Sequence, residues 1–183
     1  MSDIQYKTHS ADSISSVQNS MMNYQNLMFT VTIAILTIGL SSKESFILLL
    51  PYAIILPIYL QINKLRRDIC KISAYIVCFE PDDISYLWEK RVQEYDLLNN
   101  TKGIHTGLLM DYCLVLICSI CSIYKCIELN YPPLNRNIRI IITIVVLLLS
   151  IIFIKKKNVN YYEEREKQLH NWGTVKEYES SNT

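Results

Sequence analysis

The stretch FILLLPYAIILPIYLQI, residues Phe46–Ile62, runs for 17 residues without a charged side chain. Three other stretches have the same character: Leu27–Leu40 and Ile140–Ile154 carry no charge, and Thr106–Tyr124 carries only Asp111. A bilayer core about 30 Å thick is crossed by roughly 17–25 helical residues. Together with the polar turns that flank them, the four stretches predict four transmembrane helices.

The composition favours a membrane protein over a soluble enzyme. Half of the 183 residues are apolar, 19% are charged, and the mean hydropathy is +0.16. The segments between the apolar stretches offer too little polar surface to solvate four buried apolar helices in water. The 4 glycines are isolated, so no phosphate-binding glycine loop is present, and the 3 histidines lack paired metal-ligand spacing. We therefore expect no enzyme, no cofactor and no bound metal.

Lysine and arginine are distributed unequally between the predicted links. With both termini inside the cell, 14 basic residues lie on the cytoplasmic side and 4 lie outside. Positive charge near the ends of a span favours the cytoplasm. We therefore predict an all-α integral membrane protein with four transmembrane helices and with both termini inside. Its segments are a cytoplasmic N-terminal segment or helix (1–23), a transmembrane hairpin (24–62), a cytoplasmic helical hairpin (63–105), a second transmembrane hairpin (106–154), and a cytoplasmic C-terminal helix and tail (155–183).

The first predicted span carries a line of polar residues. Its members are spaced by 4, 3, 4 and 7 residues, which keeps them on one face of a slightly supercoiled helix. One interpretation is a helix that faces a water-filled pore built by several copies of the chain. The other is a helix–helix interface held by hydrogen bonds, and an oligomer accommodates both. The line consists of Asn19, Asn23, Asn26, Thr30 and Thr37, and the fourth predicted span repeats it more sparsely with Thr143, Ser150 and Lys157.

Asp111 is the one acidic residue inside a predicted span. Ionisable groups within the membrane are candidates for a functional role. A local salt bridge with Lys102, or a contact with His105, explains this carboxyl equally well. Both interpretations stay open.

The two polar segments inside the cell are predicted to be amphipathic helices. Residues 63–79 continue the second span, an acid-proline break follows, and residues 82–98 form a second helix. Residues 155–172 form a C-terminal helix that we expect to end at Gly173. The apolar faces of these helices need to be covered by each other, by neighbouring subunits or by the tails.

The sequence KLRRDICKISAYIVCFEP at residues 64–81, followed by LWEKR at 87–91, resembles small four-span effectors of bacterial anti-phage (abortive infection) defence systems. Hailong-type effectors and the membrane effectors of cyclic-nucleotide systems are the members considered, and the likeness covers about residues 24–98. It implies a closed oligomer that perturbs the inner membrane when a nucleotide-derived signal or a partner changes. The basic candidates for binding such a nucleotide or partner are Arg66, Arg67, Lys71, Lys90 and Arg91. Charge that flanks the membrane explains the first three equally well.

Two hypotheses for function follow. The first is a homo-oligomer that assembles around the first span and conducts ions or depolarises the cell when its cytoplasmic helices are triggered. The alternative is a non-conducting scaffold or sensor that recruits a soluble partner protein through residues 63–105 and 155–172. In both cases the lipid bilayer is the first partner of the chain.

Overall fold

The computed structural model describes residues 2–79, 106–129 and 132–181, and all regular structure in these ranges is helical. The all-α prediction is therefore confirmed for the described residues. The predicted helix at 82–98 lies outside them. In chain order, the elements are α1 (Ser2–Ser41), a 3-10 turn (Ser45–Leu49), α2 (Leu50–Phe79), α3 (Thr106–Glu128), α4 (Pro133–Lys157) and α5 (Tyr161–Ser181).

Within the described residues, three helical segments are long and apolar enough to cross a membrane, namely Asp12–Ser41, Ser45–Phe79 and Leu134–Lys157. The chain itself buries only 17% of the most apolar 18-residue window in the first and third of these, and 39% in the second. Most of this apolar surface must therefore be covered by lipid or by other protein. The prediction of a membrane protein agrees with these lengths and compositions.

The C-terminal helix differs from its predicted form at both ends. Helix α4 ends at Lys157, residues 158–160 are not helical, and α5 then continues through Gly173 to Ser181. The predicted end at Gly173 is therefore wrong. A glycine inside a helix costs only about 1 kcal/mol relative to alanine, and the glutamate and lysine residues around it are good helix formers. The break falls instead at Asn158, whose ψ of 132° is extended.

The described residues divide into two compact units. The first, which we call the apolar unit, comprises residues 23–62, 106–129 and 132–158. The second, the polar unit, comprises residues 2–22, 63–79 and 159–181. Helices α1 and α2 contribute residues to both units.

The apolar unit is organised around the buried face of α2. The hydroxyl of Tyr52 donates a hydrogen bond to the carbonyl of Val115 on α3 at 2.9 Å, and the hydroxyl of Tyr59 donates one to the carbonyl of Ile154 on α4 at 2.9 Å. Each tyrosine thus buries its ring and still satisfies its polar end. The core consists of Met28, Tyr52, Ile55, Tyr59, Leu114, Val115, Cys118 and Ile154.

The connection between α1 and α2 is closely packed. A Cβ atom built on Gly39 would lie 2.9 Å from Cγ of Leu48, which is fully buried in the 3-10 turn. Only a glycine at position 39 allows α1 and this turn to approach so closely. The Ser42 hydroxyl, by donating to the carbonyl of Gly39 at 2.9 Å, caps the end of α1.

In the polar unit, α5 packs on the part of α2 that follows its apolar stretch. Tyr75 and Phe79 of α2 stack with ring centroids 5.2 Å apart, and Trp172 of α5 meets both rings edge-on. The indole N–H of Trp172 also donates to the carbonyl of Lys71 at 3.2 Å. The aromatic cluster is therefore a point of contact between α2 and α5 within the polar unit, and Tyr75 remains 37% exposed in it.

Candidate pore-lining face

The polar residues predicted on the first span all lie on the exposed side of α1. At 3.6 residues per turn they fall within an arc of about 60°. Four of them belong to the apolar unit, and Asn19 belongs to the part of the same helix assigned to the polar unit. We call this set the polar stripe: Asn19, Asn23, Asn26, Thr30 and Thr37, each of which is exposed.

Large apolar side chains border the polar stripe on both edges. Ile33 is 58% exposed on one edge and Ile38 is 63% exposed on the other. Met22 and Leu40 extend the first edge, and Leu27 extends the second. The exposed side of α1 therefore has a polar centre and two apolar margins.

The threonine hydroxyl groups of α1 differ in their hydrogen bonding. The hydroxyl of Thr37 donates to the carbonyl of Ile33 one turn earlier at 2.9 Å, as threonine commonly does in apolar surroundings. Thr32, on the opposite side of the helix, is fully buried and its hydroxyl has no hydrogen-bond partner within the described residues.

The sparser polar line of the fourth predicted span does not face outward. Thr143 and Ser150 are both buried, with exposures of 1% and 2%. The hydroxyl of Thr143 lies 3.2 Å from the hydroxyl of Ser122 on α3 and donates to the carbonyl of Arg139. These residues pack α4 within the subunit, and only Lys157 of this line is exposed.

Asp111 is buried on α3, with 2% of its surface exposed. Its predicted partners Lys102 and His105 lie outside the described residues. The carboxyl does not lie near the polar stripe in sequence or on the same helix, and the interpretation of its role therefore stays open.

The basic candidates are not equivalent. Arg67 and Lys71 are exposed on α2, whereas Arg66 is half-buried and donates to Oδ1 of Asn63 at 2.9 Å. Lys90 and Arg91 lie outside the described residues. The candidates therefore do not form one described site.

Two basic residues at the other end of α3 and α4 have local roles that the sequence did not indicate. Lys125 is buried and donates to the carbonyl of Leu40 at 2.7 Å and to Glu128 at 3.0 Å. Arg139 binds Glu44 at 3.2 Å, and its guanidinium lies 4.5 Å from the centroid of the Phe46 ring. These contacts hold the end of α1 and the 3-10 turn against α3 and α4. From the sequence, only the location of Lys125 and Arg139 near the ends of predicted spans indicated these contacts.

Among the residues that the structure describes, no group of three or more His, Cys, Asp or Glu is placed to hold a metal ion. No protein-family model matches the chain, and no curated protein or solved structure is significantly similar to it.

Proposed function

We propose that the chain is an oligomeric membrane effector that forms an ion-conducting or membrane-depolarising pore lined by the polar stripe of α1. The observation that carries the proposal is the exposure of all five stripe residues on a helix that is long and apolar enough to cross a membrane. The trigger is a signal or a partner that acts on the cytoplasmic helices.

The physical argument concerns the amide side chains. Asn26, the stripe amide inside the predicted span, would have no hydrogen-bonding partner in hydrocarbon, where an unsatisfied polar group costs several kcal/mol in order-of-magnitude terms. In a ring of α1 helices, the polar stripe of each copy faces a central pore filled with water. The apolar margins, with Ile33 and Ile38, then pack against the neighbouring copies.

Four membrane spans fit the distribution of charge on α3. Among its described side chains, this helix carries the charged residues Asp111, Lys125 and Glu128. Asp111 and Lys125 are nevertheless buried inside the apolar unit, while Ile120 and Tyr124 on the opposite side are 64% and 60% exposed. An apolar exterior with its charges turned inward is what a span packed within a bundle requires.

The basic residues at the span ends favour both termini in the cytoplasm. The assignment to the bacterial inner membrane follows from the sequence resemblance. The role in anti-phage defence rests on the sequence resemblance alone. The trigger would then be a nucleotide-derived signal or a soluble partner protein produced during infection.

The test removes hydroxyl groups from the stripe without changing the shape of the side chains. Thr30→Val with Thr37→Val replaces two exposed hydroxyls by methyl groups. The matched control, Thr143→Val with Ser150→Ala, removes two hydroxyls at the same seven-residue spacing from buried positions on α4. Both double variants, the wild type and an empty vector are expressed in bacteria carrying a membrane-potential dye, before and during phage infection.

We expect the wild type to depolarise the cells during infection, the stripe variant to do so less, and the control to behave as the wild type. Depolarisation that is identical in the wild type and the stripe variant contradicts the assignment of the pore to α1. A wild type indistinguishable from the vector contradicts the effector function. Equal amounts of membrane-inserted protein, checked by immunoblot, make the comparison valid.

The alternative function is a non-conducting scaffold or sensor that recruits a soluble partner. The far end of α5 favours it, because Val175 and Tyr178 are 40% and 72% exposed there. Co-purification of a partner that depends on these two residues but not on the polar stripe, with no change of membrane potential, would select this function.

A further inference from the structure

The exposed side of α2 becomes basic directly after its apolar stretch ends. Lys64, Arg67 and Lys71 are spaced by three and four residues, and all three are exposed. We call these three residues the basic face. Tyr75, four residues further along, is 37% exposed and continues the same side of the helix. Lys64 was not among the basic candidates taken from the sequence.

The basic face has no acidic partner within the described part of the chain. None of its three residues takes part in a salt bridge there, and the Nζ atom of Lys71 lies 6.0 Å from the ring centroid of Trp172. Asp68 occupies the same turns of α2, is half-buried, and reduces the net charge of this side to +2. A helix surface with this excess of positive charge attracts anions.

We infer that the basic face binds the phosphate groups of anionic phospholipids at the membrane surface. This inference rests on the part of the proposed function in which α2 crosses the membrane, and it does not depend on conduction. From Lys64 to Lys71 the helix axis rises roughly 10 Å. A headgroup layer is about 5–8 Å thick on each side of the hydrocarbon, so the three cations lie at successive depths within it and just beyond it.

The arrangement fits lipid headgroups better than a soluble phosphate compound. A tight site for a soluble anion needs donors that converge on one point, as backbone N–H groups and side chains do around a bound phosphate. Here the cations are spread along one side of a helix whose backbone N–H groups are already bonded, which suits several headgroups lying side by side.

The experiment compares two triple variants of the full chain purified in neutral detergent. One variant replaces Lys64, Arg67 and Lys71 by glutamine. The matched control replaces Lys155, Lys156 and Lys157, which are also exposed and also follow an apolar stretch, by glutamine. Phosphatidylglycerol, phosphatidylcholine or sodium pyrophosphate is titrated into each protein, and lipid retention is measured by native mass spectrometry together with the melting temperature.

Each basic residue near an anionic surface contributes about 1 kcal/mol, so loss of the basic face should weaken phosphatidylglycerol binding on the order of 100-fold. We expect the control triple to lose much less, phosphatidylcholine to bind all proteins equally, and pyrophosphate to leave the melting temperature unchanged. The exchange Lys64→Arg, Arg67→Lys and Lys71→Arg keeps the charges and should restore binding.

Three outcomes would overturn the inference. Equal losses in the two triple variants would show that the charge acts without a preferred face. Unchanged binding in the first triple would show that the basic face does not contact lipid. A melting temperature raised by pyrophosphate as much as by phosphatidylglycerol would assign the face to soluble phosphate compounds. None of these outcomes bears on conduction, because the assay reads lipid retention, and circular dichroism confirms that each variant is folded.

Discussion

Replacing Gly39 by alanine should destabilise the protein, whereas the same replacement at Gly173 should stabilise it. Both glycines lie within α-helices. A Cβ atom at Gly39 would lie 2.9 Å from Cγ of Leu48 and closer still to one of its methyl groups, and Leu48 has no exposed surface toward which to move. A Cβ atom at Gly173 would meet no other atom within 4 Å.

The magnitudes follow from two opposing effects. Alanine gains roughly 1 kcal/mol over glycine inside a helix, at both positions. Overpacking of a buried contact costs about 1–3 kcal/mol, at Gly39 only. We therefore expect the free energy of unfolding to fall by up to about 2 kcal/mol in Gly39→Ala and to rise by about 1 kcal/mol in Gly173→Ala. The difference between the two variants isolates the cost of the overlap with Leu48, because the helix contributions cancel.

The measurement is reversible unfolding of the purified chain in mixed micelles, followed by circular dichroism as the fraction of denaturing detergent increases. Where the two units unfold in separate transitions, each variant is evaluated on the transition that it shifts. Equal shifts of the same sign in the two variants would refute the close packing of α1 against the 3-10 turn. A stabilised Gly39→Ala variant would refute it most directly.

Three other predictions concern contacts within a unit. Tyr59→Phe removes a hydroxyl that donates to the carbonyl of Ile154, and the free energy of unfolding in micelles should fall by about 0.5–1.5 kcal/mol; no change would exclude this bond. Arg139 and Glu44 should show a coupling below about 1 kcal/mol in a double-mutant cycle, since Glu44 is 61% exposed, and a larger coupling would contradict this exposure. Trp172→Ala removes two ring contacts and a hydrogen bond, and should lower the melting temperature of the polar unit by an amount equivalent to about 1–3 kcal/mol; an unchanged melting temperature would place α5 away from α2.

The existence of the long apolar helices could be predicted from the sequence, because it depends on local composition. The runs at Phe46–Ile62 and Ile140–Ile154 contain no charge and fall within α2 and α4, with the start of the first in the 3-10 turn. Pro57 does not interrupt α2, because the helix continues on both sides of it. A proline in an apolar helix removes one N–H donor and still leaves the rest of the ladder intact.

The side to which a polar residue turns could not be predicted in the same way. Both α1, with Thr30 and Thr37, and α4, with Thr143 and Ser150, carry two hydroxyl side chains at a seven-residue spacing. The first pair is exposed and the second is buried. The difference arises because α3 lies against α4 and brings Ser122 to Thr143, a contact between residues 21 positions apart in sequence. Periodicity identifies a face but not what lies opposite to it.

The chain leaves equally large parts of the apolar windows of α1 and α4 uncovered. Lipid hydrocarbon is nevertheless a suitable environment only for the exposed side of α4. The exposed side chains of α4 include Ile141, Leu148 and Ile152, all of which are stable against hydrocarbon. The exposed side of α1 has the amide of Asn26 at its centre within the predicted span, and hydrocarbon cannot solvate an amide. In the proposed oligomer, a second copy of the chain would cover the apolar margins and pore water would solvate the amide. This asymmetry between two otherwise similar helices is the reason to place α1, and not α4, at the centre of the proposed oligomer.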